Sequence, residues 1–130
     1  IKIKVGSAVV VEEDITMTIK GRDFLTGLPR SAEVKTNEVV KAIGRELKEM
    51  IKAIKTVLQE TPPELSADII DQGIITTGGT SQLRNFPDLV FRRTGVKAVL
   101  ADEAAFCVAK GTGIALNHLD TYKKSILAKR

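Results

Sequence analysis

"IITTGGTSQL", residues 74–83, runs four strand-favouring residues into Gly78-Gly79 and then turns polar. β-Branched side chains pack well on an extended backbone, so Ile74 to Thr77 reads as a strand. Two glycines at its end leave main-chain N–H groups with no side chain in front of them. A planar or anionic ligand can lie against such a backbone, and open α/β sheets bind ligands beyond the carboxyl ends of their strands. A plain tight turn accounts for the same residues on local grounds. The pattern is neither a Gly-Lys-Ser/Thr phosphate loop nor a G-x-G-x-x-G fingerprint.

Downstream, "NFPDLVFRRTG" (85–95) reads as a helix with Pro87 in its first turn and Gly95 as its C-terminal cap. "VKAVLA" (96–101) reads as a short strand, and "DEAAFCVAKGTGIALNHL" (102–119) as a final helix. Gly111 and Gly113 inside that helix each cost about 1 kcal/mol against alanine, which predicts close packing there. Upstream, "ELSADIIDQG" (64–73) reads as a short helix closed by Gly73. Strands without polar alternation, interleaved with helices, predict an α/β layer with a partly parallel sheet.

The longest helix is predicted over 37–60. Val39, Val40, Ile43, Leu47, Met50, Ile51, Ile54, Val57 and Leu58 recur every three or four residues and form one apolar stripe. Lys41, Arg45, Lys48, Lys52 and Lys55, with Glu46 and Glu49, occupy the other face and read as solvated rather than as a lipid surface. Thr36 or Asn37 is expected to cap the start, and Pro62-Pro63 stops the end. Residues 1–35 read as β: "IKIKV" (1–5) and "ITMTIK" (15–20) alternate with period two, and "SAEVK" (31–35) is a weaker third strand. "GRDFLTGLPR" (21–30) is the loop between the last two, and its Phe24 and Leu25 need a surface to bury them.

With 130 residues, 43% hydrophobic and 28% charged, the chain has the composition of one ordinary globular domain or of part of a larger one. No apolar stretch is long enough to cross a bilayer as a helix. The chain opens mid-pattern on a strand without an initiator Met, which suggests a cut through a fold. The net charge of +4 comes from 20 basic and 16 acidic residues, mostly interleaved, and aromatics are only 4%. Base-stacking platforms are therefore lacking and no nucleic-acid partner is expected. The basic tail "YKKSILAKR" (122–130) reads as a solvated terminus. Cys107 is the only cysteine, which fits a reducing cytosol, and it reads as a small core residue. His118 is the only histidine and reads as a surface or capping residue, so no metal site and no Cys-His nucleophile are expected.

"GRDFLTGLPR", "TPPELSADIIDQGIITTGGTSQLRNF" and "CVAKGTGIAL" resemble, in order and spacing, stretches of the MreB/Mbl family, the bacterial actin-like proteins of cell shape. The similarity covers nearly the whole chain and weakens in "AVVVEED" and the tail. The Gly-Gly turn is shared with actins and Hsp70 chaperones, whereas the GRD…TGLP stretch is more specific to this family. The resemblance implies the C-terminal part of an actin-like ATPase, an α/β fold of the actin/Hsp70/sugar-kinase superfamily. Residues 1–35 would be the small β-rich subdomain of its second lobe, and 36–130 the larger α/β subdomain with the adenosine-side turn and the basic tail. By that match Gly78, Gly79 and Thr80 would contact the nucleotide through backbone, with Ser81 and Gln82 beside the base or ribose. The family usually shows a third glycine where this chain has Thr80, while actins carry Thr there. Lys2 matches the lysine of a Glu-x-x-Lys pair that flanks the adenosine, whose glutamate would precede Ile1.

The family's phosphate-holding hairpins and the acidic residues for Mg²⁺ lie on the N-terminal side of these residues. The resemblance therefore implies ATP with Mg²⁺ as cofactor of the complete protein, and no catalytic residue in this chain. It further implies self-association into filaments, with Phe24 and Leu25 as candidate polymer contacts beside the alternative that they pack on their own subdomain. Cell-wall elongation and membrane morphogenesis proteins would be partners, and the location would be cytoplasmic, at the inner face of the cell membrane. Membrane contact itself belongs to the family's N-terminal lobe. Two other readings stand beside this one: an Hsp70-like or sugar-kinase-like lobe, and a truncated module that caps or copolymerises with filaments.

Overall fold

The spine of the molecule is a 25-residue helix, α2 (Thr36–Glu60), and its apolar stripe is what the core is built on. The computed structural model describes residues 1–127, with side chains through Lys123. Leu47 and Ile51 of α2 are buried against Phe86, Leu89 and Val90 of α4 (Phe86–Thr94), with Ala8 closing the cluster. Ile43, Met50 and Ile54 pack on its margin, and Val57, at the far end of the stripe, is 64% exposed. Each large side chain fully removed from water in such a cluster is worth about 1.5–3 kcal/mol, so this helix pair carries most of the fold's apolar stabilisation.

α2 starts one residue earlier than expected, and its caps are divided among three side chains. The Glu38 carboxylate accepts the Lys35 N–H at 2.9 Å. The Thr36 hydroxyl accepts the Ile15 N–H at 3.2 Å, and Asn37 clasps Val11 by both its N–H and its C=O. The predicted caps thus hold the incoming loop rather than the helix's own first turn. Pro62 and Pro63 end α2 and open α3 (Pro63–Gln72), which Gly73 closes with φ +83.

β3 (Ile74–Thr76) and β4 (Ala98–Leu100) pair in parallel, with Ile74 opposite Ala98 and Thr76 opposite Leu100. α4 connects them, so the predicted strand–helix–strand unit and its parallel pairing are present. Pro87 sits in the first turn of α4, and Gly95 ends it with φ +77 and an N–H bond to the Phe91 carbonyl. A separate antiparallel hairpin joins β1 (Thr16–Arg22) to β2 (Pro29–Lys35), as expected for the second and third of the predicted strands.

Four expectations fail, the last of them at Cys107. The alternating "IKIKV" is a single helical turn, α1 (Lys2–Val5), and not a strand. Alternation misleads because Ile3 is 92% exposed and only Val5 is buried, and among the described residues no strand pairs with it. The final helix over 102–119 is divided: Glu103 adopts φ +48, a 3₁₀ turn follows at Ala104–Phe106, and α5 (Cys107–Asn117) breaks at His118 before α6 (Leu119–Leu127). Side chains at Gly111 and Gly113 would meet nothing within 4 Å, so the packing predicted from these glycines is absent.

Cys107 is half-buried, its Sγ facing the carbonyls of Asp102 and Glu103 at 3.7 and 3.8 Å, and does not belong to the core. His118 is exposed, as expected, and its N–H bonds back to Ile114 and Ala115 at the break. In the basic tail Tyr122 and Lys123 are exposed, and residues 128–130 lie outside the described residues.

Candidate functional site

The glycine turn lies just past the carboxyl end of β3, held from both sides. The Thr76 hydroxyl donates to the Val99 carbonyl at 3.0 Å, and the Ala101 N–H bonds to Thr76, tying the end of β3 to β4. Gly78, at φ +87, donates its N–H to the Ala104 carbonyl at 2.7 Å. Its own carbonyl accepts the Ser81 hydroxyl at 2.7 Å. Ser81 is 4% exposed, so its side chain locks the turn from inside.

Gly79 adopts φ −66 and ψ −33 and leads into a 3₁₀ turn at Thr80–Gln82. A Cβ at Gly78 or Gly79 would meet no atom within 4 Å, and Gly79, Thr80 and Gln82 are exposed. The arrangement is therefore a rigid backbone ledge with bare space above it. Its two glycines differ: Gly78 is required by its left-handed backbone, whereas Gly79 has ordinary helical geometry.

α1 is brought beside this ledge. The Ala8 N–H bonds to the Arg84 carbonyl at 2.8 Å, and Asn85 donates to the Ser7 hydroxyl at 3.3 Å. Lys2 sits exposed on α1, whose exit is thus stitched to the residues that follow the turn. Asn85 adopts φ +62 and Glu103 φ +48, the two non-glycine residues with positive φ among those described, and both flank the ledge. Sequence reading missed them and Ala104. The acidic pair before "AAF" gave no local sign that this loop would bond to the glycine turn. Among the described residues no three or more His, Cys, Asp and Glu come together as a metal site.

Phe24 and Leu25 stand far from the ledge in sequence, at the tip of the β1–β2 hairpin, 99% and 91% exposed. They do not pack on their own hairpin. The tip is nonetheless stiff: Asp23 accepts the N–H groups of Leu25 and Thr26 and the Thr26 hydroxyl, and pairs with Arg30 at 2.8 Å. Arg22 donates to the Gly27 carbonyl at 2.8 Å across the same turn. The Arg30 guanidinium, followed by the Thr26 and Leu25 donors, holds the Asp23 carboxyl down at about 2.

A family model described as MreB/Mbl protein matches residues 1–124. The cell shape-determining protein Mbl of Bacillus cereus is 42% identical over 98% of this chain, and MreB of Escherichia coli is 35% identical over 94%. The chain spans only 38% and 35% of the length of those relatives. Among solved structures, MreB5 of Spiroplasma citri bound to ADP superposes with a TM-score of 0.81 at 30% identity, covering 98% of this chain and 38% of that one. The same protein bound to AMPPNP gives 0.82 at 28% identity. These likenesses give the molecule a partial actin-like fold, and the chain belongs to the MreB/Mbl family of cell-shape proteins.

Proposed function

We propose that this chain is the adenosine-side lobe of an ATP-binding, filament-forming bacterial actin homologue that organises cell-wall synthesis and rod shape at the inner face of the membrane. The observation that carries this reading is the open ledge at Gly78-Gly79, rigid beneath and empty above, at the end of a parallel strand. The backbone of Gly79 and Thr80 receives the nucleoside, because the Gly78 N–H is already bonded to the Ala104 carbonyl, with Gln82 at its edge and Lys2 approaching from α1. Ser81 holds the turn from within. MreB5 of Spiroplasma citri, which shares this fold, is bound to ADP in one structure and to AMPPNP in another, which supports a nucleotide as the ligand. In this reading residues 1–35 and 36–130 supply the small and large subdomains of that lobe, with the β1–β2 hairpin as the body of the small one and Ala8 packed into the core of the large one. Phosphates and Mg²⁺ are held by the remainder of the complete protein, so this chain alone turns over no ATP. Phe24 and Leu25, presented on a stiff tip, are the polymer contact.

A fluorescent mant-ATP titration tests the nucleotide reading. Weak or undetectable binding is expected for the chain alone, and tight binding in a longer polypeptide carrying the phosphate-holding half. Gly79→Asp in that longer protein is expected to lower affinity at least about tenfold, by filling the ledge with a carboxylate. Unchanged affinity would remove the ledge from the site.

A further inference from the structure

A groove of about 900 Å³ runs along the side of α2, away from the glycine ledge. Its floor is Val40, Leu47, Ile51 and Leu89, and the loop residues Val9 and Val10 form one wall. Five cations line it, Lys48, Lys52 and Lys55 from α2 and Arg92 and Arg93 from α4, and among the described residues its lining holds no carboxylate. In a chain whose acids and bases are otherwise interleaved, a one-signed lining over an apolar floor is selective for an anionic, amphipathic occupant.

Gly44 adds an independent observation. It lies in the interior of α2, where glycine is a poorer helix former than alanine, and it lines the groove. A Cβ there would meet nothing within 4 Å. Nothing inside the fold requires the missing side chain, and its absence lowers the groove wall enough for another backbone to come close. Gly44, Lys48, Lys52, Lys55 and Gln59 recur at spacings of three and four, so the opening and the cations form one stripe about 25 Å long.

We propose that this groove docks an acidic amphipathic helix of a partner protein. The partner's apolar face lies on Leu47, Ile51 and Leu89 beside Gly44. Glutamates or aspartates along both edges of that face meet Lys48, Lys52 and Lys55 on one side and Arg92 and Arg93 on the other. The chain's own exposed segments fit less well. The hairpin tip brings Arg22 and Arg30 with Phe24, setting like charges together. α3 carries Glu64, Asp68 and Asp71 along one edge of its apolar face only, and its ten residues reach about half the groove.

The test is fluorescence anisotropy with a labelled peptide of about 18 residues, leucines at helical spacing and glutamates on both flanks. Its counterpart with lysine flanks is the control. Binding of the glutamate peptide alone is expected, weakening as salt is raised. Gly44→Leu, and separately Lys52→Glu with Lys55→Glu, are each expected to weaken it about tenfold or more. Circular dichroism should show both variants folded, and Gly44→Leu melting no lower than the parent, because leucine is the better helix former. Equal binding of the lysine peptide, or indifference to Gly44→Leu in a folded variant, overturns the proposal. So does self-association of the chain that Gly44→Leu abolishes, which would make the occupant a second copy. Loss of peptide binding in a longer polypeptide containing these residues overturns it as well, because the groove would then be filled by that polypeptide's own remainder.

Discussion

Gly78 and Gly79 are adjacent and chemically identical, yet the structure separates their roles. Gly78→Ala places a Cβ on a φ of +87 and is expected to cost about 1–2 kcal/mol, read as a lower urea midpoint. Gly79→Ala, at φ −66 in open space, is expected to be neutral or stabilising by up to about 1 kcal/mol, because alanine restricts the unfolded chain. Equal losses for the two would contradict the backbone assignment. Asp23 shows the same dependence on local geometry. Its carboxyl falls from 3.8 to about 2 because Arg30 and the turn donors prefer it charged. A depressed carboxylate stabilises the folded hairpin above its unfolded value and loses that contribution as pH falls from about 4 toward 2. Side-chain carboxyl NMR should place its midpoint near 2, and Asp23→Asn should abolish the acid-induced loosening of the tip. A midpoint near 3.8 would mean the Arg30 pair does not persist in solution.

The elements read from sequence succeed where periodicity and burial agree. α2 is legible because most of its apolar stripe, from Val39 to Ile54, faces a real core. Leu47→Ala, at 6% exposure, is expected to cost about 2–5 kcal/mol, and Val57→Ala, mostly exposed, under about 0.5 kcal/mol, by thermal or denaturant melts. Comparable losses at both would show that the stripe is buried along its whole length. "IKIKV" failed because alternation of Ile and Lys is a strand signal only if one face is covered, and Ile1 and Ile3 are not. The break before α5 failed for the opposite reason. Asp102-Glu103 looks like an acidic first turn, but a left-handed Glu103 ends the turn there and frees the Ala104 carbonyl for Gly78. That bond spans 26 positions, beyond the reach of any local window.

The molecule as a whole leaves much apolar surface open. Ile75 of β3, Val99 and Leu100 of β4, and Val108, Ile114 and Leu116 of α5 are between 44% and 76% exposed. A two-stranded sheet also offers unpaired edges, which favour association with another strand. The chain alone is expected to self-associate with rising concentration, seen as a concentration-dependent sedimentation coefficient. A clean monomer at about millimolar concentration would show that these faces are covered in solution.

Local residue chemistry determined the helices with buried stripes, the hairpin, the proline stops, the glycine caps and the position of the ledge, because backbone preference and side-chain periodicity act over a few residues. The resemblance carried by the flanking motifs pointed to the family. Only the tertiary structure decided what sits against the ledge. The Ala104 carbonyl beneath Gly78, the inward Ser81 hydroxyl and α1 beside Arg84 and Asn85 are contacts between distant parts of the chain, and no local propensity encodes them. The same holds for the groove. The lysines of α2 read as an ordinary solvated face until packing sets Arg92 and Arg93 opposite them, because an electrostatic field depends on where charges meet and not on their order along the chain.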